Sequence, residues 1–360
     1  LRLPSLFAVL VNPGVPVETA GVFRALGLAA GGPLRIARED WAAPPAEAEA
    51  FHALLASSGN DLAAPAGRLA PEIGEGIERL LEAAVACDEA GVDGIWYGQF
   101  LGYDAPTLAL AAAARTERLM PGVSVVVARP RHPIAVAAQA HTVNAMSGGR
   151  FRLGVGLSHR STIEGIYGLD FPSPGRYLRE YLRVLRELIE LRPVDFDGEF
   201  AHAHGQLGIP EAMPLPLYTG ALGPLALEAT GEFADGTVTY LAGPRTIEEH
   251  VVPRLLVGAA RSGRPRPELV ACVPVMATDE PDAITPRLHE FTRFHASLPE
   301  YQQIIEREGL AHPGDMGLIG GGETLVAGAR RLRDAGATEL GAALFGDREE
   351  QLRTIRALGE

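Results

Sequence analysis

The chain has 360 residues, of which 47% are hydrophobic and 21% charged, with a formal net charge of −13. That composition describes a folded chain with a sizeable core and excludes a disordered one. The acidic balance argues against sequence-independent binding to nucleic acid, which needs a basic surface, and no apolar run approaches the roughly 18–20 residues of a membrane span.

In chain order, "SLFAVLV" (5–11) reads as a first strand running into Asn-Pro-Gly, not as a signal peptide. Residues 13–70 are rich in Pro, Gly and Ala and read as an inserted lid or substrate-binding segment after that strand. Helical spacing is predicted over 77–91, and strands at 94–98, 123–128 and 150–156. A second strong helix is predicted over 175–193. Residues 192–214, with a turn at Asp197-Gly198, read as a small hairpin insertion. Further strands are predicted at 215–220, 236–242, 269–277 and 339–345. Most of these runs are apolar without alternation, as parallel strands covered on both faces must be. About eight strand–helix units predict an α/β fold of the (β/α)8 TIM-barrel type in a single domain, with a doubly wound open sheet as the alternative.

Barrel enzymes place their chemistry at the C-terminal ends of the strands. The second predicted strand ends at Gln99, and Tyr103 and Asp104 precede a helix starting around Pro106. Asp104 suits the N-cap, whereas Gln99 has no such local task and is the better candidate for touching a ligand. Arg129, Arg131 and His132 follow the third strand, either as solvated charges or as anion contacts. The fourth ends in Leu157, Ser158, His159 and Arg160. Ser158 suits the following N-cap, which favours a functional role for His159 over a capping one. After the fifth strand, Gly223-Pro224 opens a helix whose backbone N–H groups suit a phosphate. "GGGE" (320–323) reads as a turn and a helix start, not as a dinucleotide fingerprint.

All 32 basic residues are arginine. Without lysine, neither a Schiff base nor a P-loop can form. Cys87 and Cys272 read as two small buried side chains; neither a disulfide nor a metal site is expected, and a cytoplasmic location follows.

The segments "ARPRHPIAVAAQAHTVNAMSGGRFRLGVGLSH", "RYLREYLRVLRELI", "ALGPLALEATGEFADGTVTYLAGP" and "HPGDMGLIGGGETLVAGARRLRDAGATEL" resemble the bacterial luciferase-like flavin and deazaflavin oxidoreductases. "GQFLGYDAPTLAL" and "GLSH" are more similar to the branch that depends on coenzyme F-420, a deazaflavin. The resemblance implies a barrel that holds an isoalloxazine-like ring at its C-terminal mouth. It places a strand-three bulge, often with a non-prolyl cis peptide, near Ser124, Val125 and Val126. It also puts Leu157, Ser158 and His159 against the ring or ribityl chain, and Ala221, Leu222, Gly223 and Pro224 around the phosphate.

The sugar-phosphate and alcohol dehydrogenases of that branch carry an acidic residue and a histidine after strand two and a glutamate after strand four. Here Gln99, Phe100 and His159 stand in those places. The resemblance therefore implies an enzyme that delivers hydride from reduced F-420 to an electron-poor C=C or C=N bond. His159 would be proton donor or polariser, Gln99 would orient the substrate or ring edge, and Tyr103 and Arg160 would contact the substrate. An FMN-dependent monooxygenase and a non-catalytic binding barrel are the alternatives. The expected partners are a small-molecule or peptide-derived substrate and a second copy of the chain.

Overall fold

The computed structural model of the protein describes residues 72–99, 101–210 and 213–359. The strand expected at 5–11 and the insertion expected at 13–70 lie outside the described residues. The chain divides into a smaller unit, Leu1–Leu80 with Leu101–Tyr103, and a larger one, Leu81–Phe100 with Asp104–Glu360. Helix α1 (Glu72–Ala90) begins in the smaller unit, where the Tyr103 hydroxyl would meet a Cβ on Gly76 at 2.8 Å.

Along the larger unit, β1 (Gly94–Tyr97) is followed by α2 (Ala105–Ala113), then by β2 (Met120–Val123), β3 (Val126–Val127) and α3 (Pro133–Met146). After β4 (Leu153–Gly156) come α4 (Arg160–Gly165) and α5 (Pro174–Ile189). An antiparallel hairpin of β5 (Val194–Asp197) and β6 (His202–Gly205) precedes β7 (Leu217–Gly220) and α6 (Pro224–Phe233). β8 (Gly236–Tyr240) leads to α7 (Pro244–Thr246), a π-turn at Ile247–Val251 and α8 (Val252–Ser262). β9 (Glu268–Ala277) leads to two helices, α9 (Pro281–Ala296) and α10 (Pro299–Glu308). β10 (Leu318–Gly320), α11 (Gly322–Asp334), β11 (Glu339–Leu344) and α12 (Arg348–Gly359) complete the order. None of the described helices is long and apolar enough to cross a membrane.

Outside the hairpin every ladder is parallel. β1 pairs with β2, and Gly122 of β2 bridges to Arg152 beside β4. β3 pairs with β4, β4 with β7, β7 with β8, β8 with β9, and β9 with both β10 and β11. All four residues of β4 are buried, which is why "LGVG" carries no polar alternation. The single run expected at 123–128 is two strands with a break at Ser124 and Val125.

The ends of this strand series meet across one interior. Trp96 of β1 donates from Nε1 to Glu339 Oε1 of β11 at 3.0 Å. Arg152 Nη1 lies 2.6 Å from Glu339 Oε2, and its guanidinium sits 4.2 Å from the Trp96 ring centre. The Trp96 ring is edge-on to Tyr218 of β7 at 5.1 Å, and the Tyr218 hydroxyl donates to Glu268 of β9. Side chains of first and last strands cannot touch in an open doubly wound sheet, so the strands wrap as a barrel. Gly94 is required here, because a Cβ would lie 2.1 Å from Arg152 Nη2.

Arg152 has only 6% of its side chain exposed, so its charge depends on Glu339 for compensation. Glu339→Ala is expected to lower unfolding stability by about 3 kcal/mol in urea titration, and Glu339→Gln, which keeps an acceptor for Trp96, by less. Equal stability of all three proteins would refute this account of the barrel interior.

Candidate active site

The mouth is built on a strip of glycines. The Ser124–Val125 peptide is cis, and the Ser124 N–H donates to the Tyr97 carbonyl at 2.9 Å. A Cβ on Gly156 would lie 2.4 Å from Val125 Cγ2, and one on Gly220 3.1 Å from Val125 Cγ1. A Cβ on Gly154 would strike the Val123 carbonyl oxygen at 2.1 Å. Glycines on two neighbouring strands therefore let the bulge turn into the barrel, and the ladder resumes where Ala128 N–H donates to the Gly156 carbonyl at 2.9 Å.

Beyond β4, Leu157 packs against Val127, Ile163 and Phe171. Ser158 takes the left-handed conformation with φ 61° and is not the N-cap expected of it. The residue at the cap of α4 is His159, with φ −104° and ψ 152°, but its side chain makes no capping bond. Its Nδ1 instead lies 2.5 Å from Glu300 Oε1, in the first turn of α10. Arg160 folds back on its own element, pairing with Glu164 and donating from Nη2 to the Phe171 carbonyl at 3.1 Å.

An aromatic wall surrounds His159. Its ring centre lies 6.0 Å from Phe294, 6.5 Å from His295 and 6.2 Å from Tyr301. His295 in turn meets Tyr240 at 4.8 Å and Tyr301 at 5.0 Å. Tyr301 is rooted in a core of Leu241, Leu298, Ile304 and Met316. The His295 Nδ1 is shielded from solvent and has no hydrogen-bond partner. Burial, and then the neighbouring His159, push the His295 imidazole down to about 4. Burial likewise raises the hydroxyls of Tyr240 and Tyr301. Sequence reasoning passed over Phe294, His295, Glu300 and Tyr301. Their signal was the density of rings in "FTRFHASLPEY", at the junction of the two helices that follow the strand ending at Ala277.

The premise that Gln99 has no local task is corrected. Its Oε1 accepts the Ala105 N–H at 2.8 Å and so holds the start of α2. Asp104 caps that helix, accepting Thr107 N–H at 3.1 Å, and also takes Arg131 at 2.8 Å and Gln139 at 3.3 Å. Arg131 is thus an ion-pair partner and not a solvated charge. His132 caps α3 by accepting Ile134 N–H at 3.2 Å, and Arg129 lies over the Tyr177 ring at 4.6 Å. Tyr103 belongs to the smaller unit, and Phe100 is outside the described residues.

After β7, Ala221 is buried and the Leu222 carbonyl accepts from His250 Nε2 at 2.8 Å. Gly223 is the N-cap of α6 with no side-chain cap, and nothing lies within 4 Å of where its Cβ would be. Gly223 and Pro224 are exposed. Backbone contact seats α6 on α8: a Cβ on Gly231 would lie 2.0 Å from the Leu255 carbonyl, and one on Gly258 2.0 Å from that of Glu228. Among the described residues no cluster of His, Cys, Asp or Glu could hold a metal ion.

A parallel barrel with its polar groups at the C-terminal mouth defines an enzyme of the α/β-barrel class. A family model described as luciferase-like monooxygenase matches residues 51–359. The F-420-dependent glucose-6-phosphate dehydrogenase of Gordonia bronchialis is 33% identical over 247 residues, covering 63% of this chain and 72% of that protein. Among solved structures, the coenzyme F-420 dependent tetrahydromethanopterin reductase from Methanopyrus kandleri superposes with a TM-score of 0.69 at 21% identity, covering 79% of this chain and 94% of that one. The FMN complex of the oxygenating constituent of 3,6-diketocamphane monooxygenase from Pseudomonas putida superposes with a TM-score of 0.62 at 14% identity, covering 79% and 91%. The chain belongs to the luciferase-like monooxygenase family, and its fold is that family's barrel.

His295 ties the site to a pH dependence. Its folded value of about 4 lies below the ordinary 6.5, so the unfolded chain binds more protons between these values. The stability contributed by a neutral His295 is complete above pH 6.5 and is lost as pH falls toward 4. His295→Leu is expected to flatten the fall of the thermal midpoint across that window, and an unchanged slope would show that His295 does not titrate there.

Proposed function

We propose that the protein is an oxidoreductase that uses reduced coenzyme F-420 to deliver hydride to an electron-poor C=C or C=N bond of a small organic substrate. The observation that carries this reading is that His159 follows the exit of β4, the strand whose Gly154 and Gly156 face the Ser124–Val125 bulge.

The residues at the mouth fit such a carrier. The glycine strip leaves the Ser124–Val125 backbone as a flat rest for a planar ring, with Leu157 and Ser158 beside it. The uncapped start of α6, at Ala221, Leu222, Gly223 and Pro224, offers backbone donors and the positive end of a helix dipole to a phosphate. Reduced F-420 supplies a hydride when bound. His159, 25% exposed, is placed to give the accompanying proton to the substrate. The buried ring of Tyr301 restricts water on one side of that transfer.

The match to the F-420-dependent glucose-6-phosphate dehydrogenase supports the cofactor, and the departure at Gln99 and His159 that the family resemblance implies favours reduction of an unsaturated acceptor over oxidation of an alcohol. Fluorescence titration is expected to show F-420 binding and no tight FMN binding; tight FMN binding without an F-420 response would replace this reading with an FMN monooxygenase. His159→Gln is expected to lower kcat about 100-fold while F-420 affinity holds. Gly223→Asp, which sets a negative charge at the α6 start, is expected to weaken F-420 binding about tenfold with kcat retained.

A further inference from the structure

We propose that Glu300 is the positioning residue of the site, reaching from α10 to hold the His159 imidazole in its Nδ1–H tautomer and to present Nε2 to the substrate. This rests on the reading of His159 as proton donor. The Glu300 carboxylate is acceptor-only, so the 2.5 Å contact places a proton on Nδ1 of His159. Nε2 is then the nitrogen that gains or gives the second proton.

Among the described residues, Glu300 is the carboxylate that meets this ring. His295 faces His159 from α9, is held neutral at neutral pH, and so does not compete with it for the carboxylate. The Tyr301 hydroxyl is raised by burial, and Phe294 is apolar. Arg160, the neighbour in sequence, is paired with Glu164. The imidazolium is thus stabilised by one carboxylate while its other edge stays open to donation, the division of labour of a carboxylate–histidine pair. In the transfer, the Nε2–H bond breaks and a bond from that proton to the substrate forms. The electron pair stays on Nε2, the other proton stays on Nδ1 in its hydrogen bond to Glu300, and solvent restores the lost proton.

Glu300 lies at a helix start and is 42% exposed, so its removal need not unfold the chain. The test is nitrogen-15 NMR of histidine-labelled, cofactor-free protein above neutrality, with the His159 signals assigned by their loss in His159→Gln. The wild-type protein is expected to show protonated Nδ1 and bare Nε2 at His159. Glu300→Ala should lose that preference, and so should Glu300→Gln, whose amide can either accept from Nδ1 or donate to it. In turnover, Glu300→Ala is expected to lower kcat about 100-fold with the cofactor Kd unchanged. A wild-type signal with the proton on Nε2, or the same tautomer in all three proteins, overturns the proposal. A locked Nδ1–H tautomer in a protein that fails to respond to F-420 would instead overturn the cofactor reading and leave the positioning role standing.

Discussion

The inward turn of Val125 over Gly156 and Gly220 is the contact on which the mouth depends. Three strands converge there, and the two that face Val125 carry glycine at the positions of closest approach: a Cβ at Gly154 or Gly156 would sit within 2.4 Å of its neighbour. Removing those side chains weakens each strand as an isolated element. What it permits is a break in the ladder between β2 and β3, which exposes backbone instead of side chains at the barrel rim. The rest of the mouth is arranged around that break.

Separate elements hold the parts of the site, each anchored away from it. The opposite end of the barrel interior is tied by Arg152, Glu339, Trp96 and Tyr218. Helix α6 is seated by the glycine contact with α8, and just beyond its last residue Asp235 accepts Leu217 N–H at 2.8 Å and pairs with Arg186 and Arg264 at 2.8 and 2.5 Å. The α9–α10 pair, rooted through Tyr301 and Leu298, carries Glu300 and the ring wall to His159. The glycine strip, the start of α6 and the His159 corner can therefore vary independently, as is general for barrel enzymes whose loops change while the scaffold persists.

Much of this was readable before any coordinates. Buried parallel strands are continuous apolar runs, so "LPLYTG" and "LVACVPVMA" stand out without ambiguity, and the Asp104 cap follows from an Asp-Ala-Pro start. The break at Ser124–Val125 was legible only through family resemblance, because "VSVVVA" reads as one unbroken strand. Gln99 was misjudged because its task is a side-chain bond to a backbone six residues on, which no periodicity announces. The His159–Glu300 contact spans 141 positions, and neither residue type reveals its partner. Long-range polar pairing of this kind is fixed by the barrel's closure and not by local pattern.

The glycine-backed bulge is proposed to seat a planar redox ring beside His159. A crystal structure of the protein soaked with coenzyme F-420 tests it most directly. The ring is predicted to lie against the Ser124–Val125 backbone, with its phosphate at Gly223 and its reactive face toward the imidazole. Density for the ring elsewhere in the molecule, with the bulge covered by protein side chains, would contradict it.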